Sequence, residues 1–316
     1  MSICQHLNRP VTVLTSRPVP ASNPFTAVVE LPRDDDADEV RRPTANGALH
    51  WAPHLDDGYG ARMGALVEWV RQARPEVFVV DVSVEVAVLV RLLGIPVVVT
   101  ALPGNRIDHP HRLVHRMADQ IIAAWPRALR VPPWLRPHES KTAFVGGISR
   151  FDGRPRAVGS QDGTRVVVLA GADGMGVGSG ECNGPATGEV TWTSLGATRG
   201  DWTADPWPQI SAADVVVTHA GQNAIADVAA AQRPAVVIPQ NRPFDEQRVT
   251  AQVLHHHRLA VVTPCWPPAR AWPALLKRAK GIDCQQWKLW EVEGAAARAA
   301  AAIEETARRC RGRAAP

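Results

Sequence analysis

Short runs of aliphatic and β-branched residues recur along the chain, each bounded by polar or glycine-containing stretches. In the first half they fall at residues 11–15, 27–30, 77–80, 97–100, 120–124 and 142–145. The runs are continuous rather than alternating, as expected of strands covered on both faces of a parallel sheet. Between them lie segments with helical spacing. Residues 60–74 place Leu66, Val67 and Val70 on one face and stop at Pro75, and residues 85–93 close on Gly94, a common helix C-terminus. A second series of runs follows at 165–170, 190–194, 215–218, 235–238 and 260–262, and an alanine-rich helix is predicted over 294–309. Strands alternating with helices predict an α/β protein with parallel sheets and right-handed crossovers. The predicted organisation is one α/β unit over 1–147, a linker rich in Gly, Arg and polar residues over 148–164, and a second unit over 165–316.

Composition narrows the picture in three ways. At 316 residues the chain is long enough for two domains of ordinary size. A net charge of +4, with the basic residues spread rather than clustered, is not the footprint of a nucleic-acid partner. Five cysteines (Cys4, Cys182, Cys265, Cys284, Cys310) show no Cys-x-x-Cys spacing, which points away from a zinc site or a disulfide framework and toward a reducing cytoplasm. No apolar run approaches the roughly 18 residues a spanning helix needs.

The richest stretch is 214–247. A buried strand ends in His219-Ala220-Gly221, a helix opens at Gln222 or Asn223, and a second buried strand ends in Pro239 and a loop carrying Asp245, Glu246 and Gln247. Open parallel sheets bind ligands at the carboxyl edge of the strands, and a helix N-terminus beside Gly offers free N–H groups to a phosphate. The pattern Gly221, Asp227, Pro234, Pro239, Asp245-x-Gln247 resembles the donor-binding domain of GT-B glycosyltransferases, in particular the N-acetylglucosaminyltransferases that form lipid II. The resemblance implies two doubly wound, Rossmann-like domains facing a cleft. It implies a nucleotide diphosphate sugar as donor, UDP-linked, and a terminal helix that crosses back onto the first domain. In the family an acidic residue at the place of Asp227, usually Glu, holds the ribose hydroxyls, and the Gln at the place of Gln247 contacts the donor sugar. The Asn that follows three residues later in the family is Thr250 here.

A Gly-rich loop carrying Gly171, Asp173, Gly174 and Gly176 follows the first strand of the second half, where the family's backbone approaches the donor diphosphate; tight turns also use such glycines. His219, Gly221, Gln222 and Asn223 form a second phosphate-facing turn, with Asn223 as a candidate N-cap. Asp227 is expected near the first turn of that helix. Asp245, Glu246 and Gln247 offer polar groups to a sugar or simply cap a helix. In the first half, Asp81 and Glu85 follow the third strand. An inverting transferase needs a base for the attacking hydroxyl, and these carboxylates are the candidates, although capping of a helix near Ser83 explains them as well. Gly104, Asn105 and Arg106 follow the next strand and are the acceptor-side candidates, with Arg106 either meeting an acceptor phosphate or simply solvated.

Other features have plainer readings. His255-His256-His257 marks a helix end, since neighbouring helical residues point about 100° apart and do not converge on one ion. Residues 34–39 are an acidic, solvated loop, with a metal site as the alternative, and 109–125 a surface helix leading into a strand, with peripheral contact to an anionic membrane as the alternative. The opening of the chain is unlike that of a doubly wound domain. Ile3 and Leu7 lie four apart, as at the end of a helix, and Pro10 follows. The expectation is a chain that enters partway through the first crossover helix, without the first strand and its Gly-rich, His-bearing loop, through a misplaced gene start or a true loss. The function expected is transfer of a hexose or N-acetylhexosamine to the hydroxyl of a small molecule or lipid-linked saccharide, with no cofactor or metal, in the cytoplasm or at the inner membrane face. An epimerase of the same architecture and a donor-binding subunit without turnover are the rivals.

Overall fold

The computed structural model describes residues 1–157, 163–170, 190–196 and 203–312. In chain order the elements are β1 (Thr12–Thr15), β2 (Ala27–Glu30), α1 (Asp57–Ala73), β3 (Phe78–Val80), α2 (Val84–Leu92), β4 (Val97–Ala101), α3 (His109–Met117), β5 (Gln120–Ala123) and β6 (Thr142–Phe144). The second half contributes β7 (Thr164–Leu169), β8 (Val190–Leu195), α4 (Trp207–Ala212), β9 (Val215–Thr218), α5 (Gln222–Ala231), β10 (Ala235–Val237), α6 (Glu246–His256), β11 (Val261–Val262), α7 (Trp272–Lys280) and α8 (Ala295–Gly312). Among the described residues, no helix is long and apolar enough to cross a membrane.

Two parallel sheets carry the molecule. The first has the order β3-β4-β5-β6 and the second β11-β10-β9-β7-β8. Counted from β7, the second order is 2-1-3-4-5, one of the two common doubly wound plans, and its direction reverses between β7 and β9. In such sheets ligands bind at that reversal, beyond the carboxyl ends of the strands. β1 and β2 pair in parallel with each other as a separate two-stranded sheet. The chain starts with a 3-10 turn at Ile3–His6, where the sequence predicts the end of a helix.

The continuous valine runs have the expected cause. Val216 of β9 belongs to the core beneath α4 and α5, with Ile210, Ile225 and Val228, while Val215 and Val217 face Trp272 and Leu276 of α7. In β4, Val97 and Val99 pack under α2 and α3, and Val98 packs against Ala299 and Ile303 of α8. Helix α8 thus returns from the second half to cover the far face of the first sheet. Arg309 Nη2 donates to Asp119 O at 2.8 Å and Arg298 Nε to Val145 O at 2.9 Å, which tie it there. Each such valine, buried on a sheet covered on both faces, contributes about 1.5–3 kcal/mol.

Local signals set the helix ends. Asp56 caps α1 by accepting from Tyr59 N at 2.7 Å, and Ser83 caps α2 by accepting from Val86 N at 3.2 Å. The histidine run closes α6, with His255 and His256 in the last turn and His257 as C-cap.

Candidate active site in the cleft between the sheets

The first-half loop 103–106 meets the second-half loop 243–246 directly. Asn105 N donates to Phe244 O at 2.7 Å, and Arg106 Nη2 binds Glu246 Oε2 at 2.9 Å. The Arg106 guanidinium lies 4.5 Å above the Phe244 ring centroid and its Nε donates to Pro103 O at 3.2 Å. Gly104 makes this approach possible. Its φ is +106°, and a Cβ there would stand 2.3 Å from Phe244 O. Phe244 and Asp245 themselves adopt φ of +61° and +55°, uncommon for non-glycine residues and strained for an aromatic one. The acceptor-side residues Gly104, Asn105 and Arg106 thus come together with Asp245 and Glu246; Asn105 Nδ2 lies 3.4 Å from Asp245 Oδ2.

Beside this contact stands a cluster that the sequence reading missed. His50 Nε2 and His111 Nδ1 each lie 2.6 Å from one oxygen of Asp108. Asp108 is the N-cap position of α3, and His111 follows it by one turn. Both imidazoles pack near Phe244, with centroids 5.8 and 4.8 Å away. Burial raises the Asp108 carboxyl, but the hydrogen bonds from His50 and His111 outweigh it, and the net shift is downward. Burial lowers the His111 pKa, and Asp108 offsets only part of that. An ionised Asp108 accepts Nε2–H from His50 and leaves its Nδ1 lone pair without a partner among the described residues. The same three residues are the one group among the described residues with donor atoms near enough to share a metal ion, all within 4.8 Å. The 2.6 Å contacts match hydrogen bonds within a carboxylate-bridged pair of imidazoles. Deeper in this half, His115 stacks on Trp134 at 4.9 Å, and burial pushes its pKa down to about 3, so it stays neutral.

The two carboxylates proposed from sequence as bases fare differently. Glu85 is buried, its Oε1 accepts His50 N at 2.7 Å and Trp51 N at 3.1 Å, and Oε2 accepts the Ser83 hydroxyl at 3.0 Å. With both oxygens engaged, it anchors the backbone that presents His50. Asp81 accepts from Thr100 Oγ1 at 2.9 Å and lines a pocket of about 360 Å³ with His111 and His115.

In the second half, α5 begins with Gly221 as N-cap, not Asn223, which is exposed. No side chain caps this end, so its first-turn N–H groups are available to an anion. Gly221 N itself donates to His219 Nδ1 at 2.9 Å, and the His219 ring fills the space where a Cβ would stand. Gln247 is buried, and its Oε1 accepts from Ala220 N at 3.1 Å and Gln240 N at 2.9 Å. It splices the loop after β9 to the loop after β10, and its Nε2 donates to Gln240 Oε1 at 3.4 Å. Thr250 is also buried, with its hydroxyl on Glu246 O at 3.2 Å. Gly171, Asp173, Gly174 and Gly176 lie outside the described residues.

Asp227 lies in the second turn of α5 rather than the first, and it is buried. Oδ1 accepts the Ser149 hydroxyl at 2.7 Å, and Oδ2 lies 3.9 Å from Arg150. Burial raises its pKa to about 6, partly offset by Ser149 and Arg150. If Asp227 accepts the ribose hydroxyls as a carboxylate, donor affinity is present above pH 6 and falls as the group protonates below it. A nucleoside diphosphate sugar, with no phosphate proton to lose in this range, is the suitable titrant. Calorimetry between pH 5 and 8 should show that loss in the natural chain and a flat, weak profile in Asp227→Asn; a flat profile in both removes Asp227 from the site.

The comparisons with known proteins agree with this geometry. Residues 203–264 match the glycosyltransferase family 28 C-terminal domain. The fold is that of CalG4, the calicheamicin glycosyltransferase, at a TM-score of 0.57 and 17% identity over 92% of this chain and 88% of that one. The chain has the GT-B fold. It is also similar to MurG of Acinetobacter baumannii (TM-score 0.55, 14% identity, 88% of this chain and 85% of that one). A third likeness is to the spinosyn rhamnosyltransferase SpnG complexed with spinosyn aglycone (0.50, 16%, 91% and 84%). At these identities what is shared is the fold. No curated protein sequence matches the chain.

Proposed function

We propose that the enzyme transfers a hexosyl or N-acetylhexosaminyl group from a UDP-linked donor to an acceptor hydroxyl, with His50 as the general base. The observation that carries this reading is the His50–Asp108–His111 cluster, held by Phe244 and Arg106 against the very loop that opens α6. A GT-B transferase needs a proton acceptor on one half and a donor cradle on the other, and contact of this cluster with the Phe244 and Glu246 loop supports that reading.

The hydroxyl oxygen attacks the anomeric carbon as its proton passes to His50 Nδ1, and Asp108 stabilises the imidazolium through Nε2–H. The bond from that carbon to the diphosphate breaks, and the bonding pair leaves with the phosphate oxygen. The uncapped first turn of α5 meets this charge with N–H groups and the helix dipole, a task the protein performs without a bound cation. Attack opposite the leaving group inverts the anomeric centre. SpnG, crystallised with an aglycone, supports a small-molecule acceptor. A lipid-linked acceptor would bring the enzyme to the inner membrane face, where exposed Ile107 and Leu113 beside Arg112 and Arg116 suit peripheral contact.

Calorimetry with UDP and a UDP-sugar, followed by assay of UDP release, tests the reading. Binding of both with slow UDP release is expected; absence of binding by any nucleoside diphosphate removes the donor site and the proposal with it.

A further inference from the structure

A pocket of about 430 Å³, counting the space open to solvent, lies between the two halves. Its walls are mostly apolar: Trp125, Leu129 and Pro132 come from the segment after β5, and Val249, Val253 and Trp290 from the second half. Two of its polar side chains lack partners. The Arg130 guanidinium is half-buried, with no hydrogen bond or ion pair to any described residue, and desolvation lowers its pKa. Gln222 Nε2 is buried with no hydrogen-bond partner among the described residues. A desolvated cation and an orphan amide donor both cost free energy unless something accepts from them. Elsewhere in the cleft the chain supplies such acceptors, as Glu246 does for Arg106. Here no described residue does, and both the guanidinium and Gln222 Nε2 are donors.

We infer that this pocket binds an amphipathic anion, an apolar ring system carrying one anionic group, with the rings between Trp125, Leu129 and Val253 and the anion on Arg130 and Gln222. Resting on the transferase reading, this ligand is the acceptor, since the pocket shares Pro103 with the loop that carries Arg106 and adjoins Gln222 at the start of α5. A neutral sugar or a polar peptide is a poor occupant, because it would leave the apolar walls wet or the guanidinium unpaired.

Two dyes with the same rings separate the terms: 1-anilinonaphthalene-8-sulfonate carries an anion, and N-phenyl-1-naphthylamine does not. Fluorescence titration of the whole chain should show one saturable site and at least about tenfold tighter binding of the sulfonate, the worth of a charge-assisted contact. Arg130→Met should bring the two dyes to similar affinity. Val253→Trp, which fills the pocket, should abolish both, and Leu129→Trp serves the same end if that variant does not fold by circular dichroism. Equal affinities in the natural chain, or sulfonate binding unchanged in Arg130→Met or in a folded filled variant, overturn the pocket. UDP-sugar calorimetry on the same proteins separates the two readings. Retained nucleotide binding with failed dye selectivity overturns the pocket alone. Loss of nucleotide binding in the natural chain overturns the acceptor role, whatever the dyes do.

Discussion

Replacing His50 with Ala lowers turnover by about 10²–10⁴-fold, the usual contribution of a positioned general base, and leaves UDP-sugar affinity at its natural value. The reason is geometric. Asp108 holds Nε2, so the imidazole offers Nδ1, and none of its contacts reaches the α5 turn where the diphosphate is expected. The backbone at His50 stays in place in the variant, because its N–H donates to Glu85 whatever the side chain. Asp108→Asn should lose nearly as much, since a neutral amide neither stabilises the imidazolium nor fixes its tautomer. The loss must fall on kcat, with KM for the donor little changed. Turnover within about threefold of the natural enzyme in His50→Ala would show that the proton goes elsewhere, with Asp81 the next group to test.

Arg106→Ala produces the largest loss of stability expected from a single cleft residue, about 3 kcal/mol or more. Its side chain is 6% exposed and that of its partner Glu246 25%, so the deletion strands a carboxylate that burial already pushes above its ordinary pKa. The variant also loses the stacking on Phe244 and the bond to Pro103 O. Arg106→Lys should not restore it, because a point ammonium cannot stack on the ring and serve two acceptors at once. Arg106→Leu with Glu246→Leu should lose less than Arg106→Ala alone, since no charge is left unpaired. Urea unfolding midpoints measure all three. A loss under about 1 kcal/mol for Arg106→Ala would make the contact equivalent to a surface ion pair.

The strands were legible because their cause is local. A valine run covered on both sides looks the same in sequence whichever helix covers it, and 215–218 and 97–100 are strands as predicted. The turn after β9 and the acidic opening of α6 were legible through Gly221 and Asp245-x-Gln247. Their partners were not. Gln247 looks like a sugar ligand in sequence, but its carbonyl oxygen is spent on the backbone of two loops. Asp227 looks like an exposed first-turn acid, yet Ser149, 78 residues away, covers it. Glu85 looks like a free carboxylate after a strand, and it anchors residues 50 and 51 instead.

The base cluster shows the same division. Asp108 and His111 are one helical turn apart and were open to notice from their spacing, whereas His50 lies 58 residues from Asp108 with no pattern to join them. Arg106 and Glu246 are separated by 140 residues. By itself the sequence determined the α/β class, the positions of most strands and which loops stand at the carboxyl edge of each sheet, because hydrophobic period and turn chemistry act over a few residues. Only the tertiary structure decided which side chains meet across the cleft and which carboxylates are already occupied. Those depend on how two sheets and the returning helix α8 are set against each other, and that placement arises from packing over the whole chain, not from any local period.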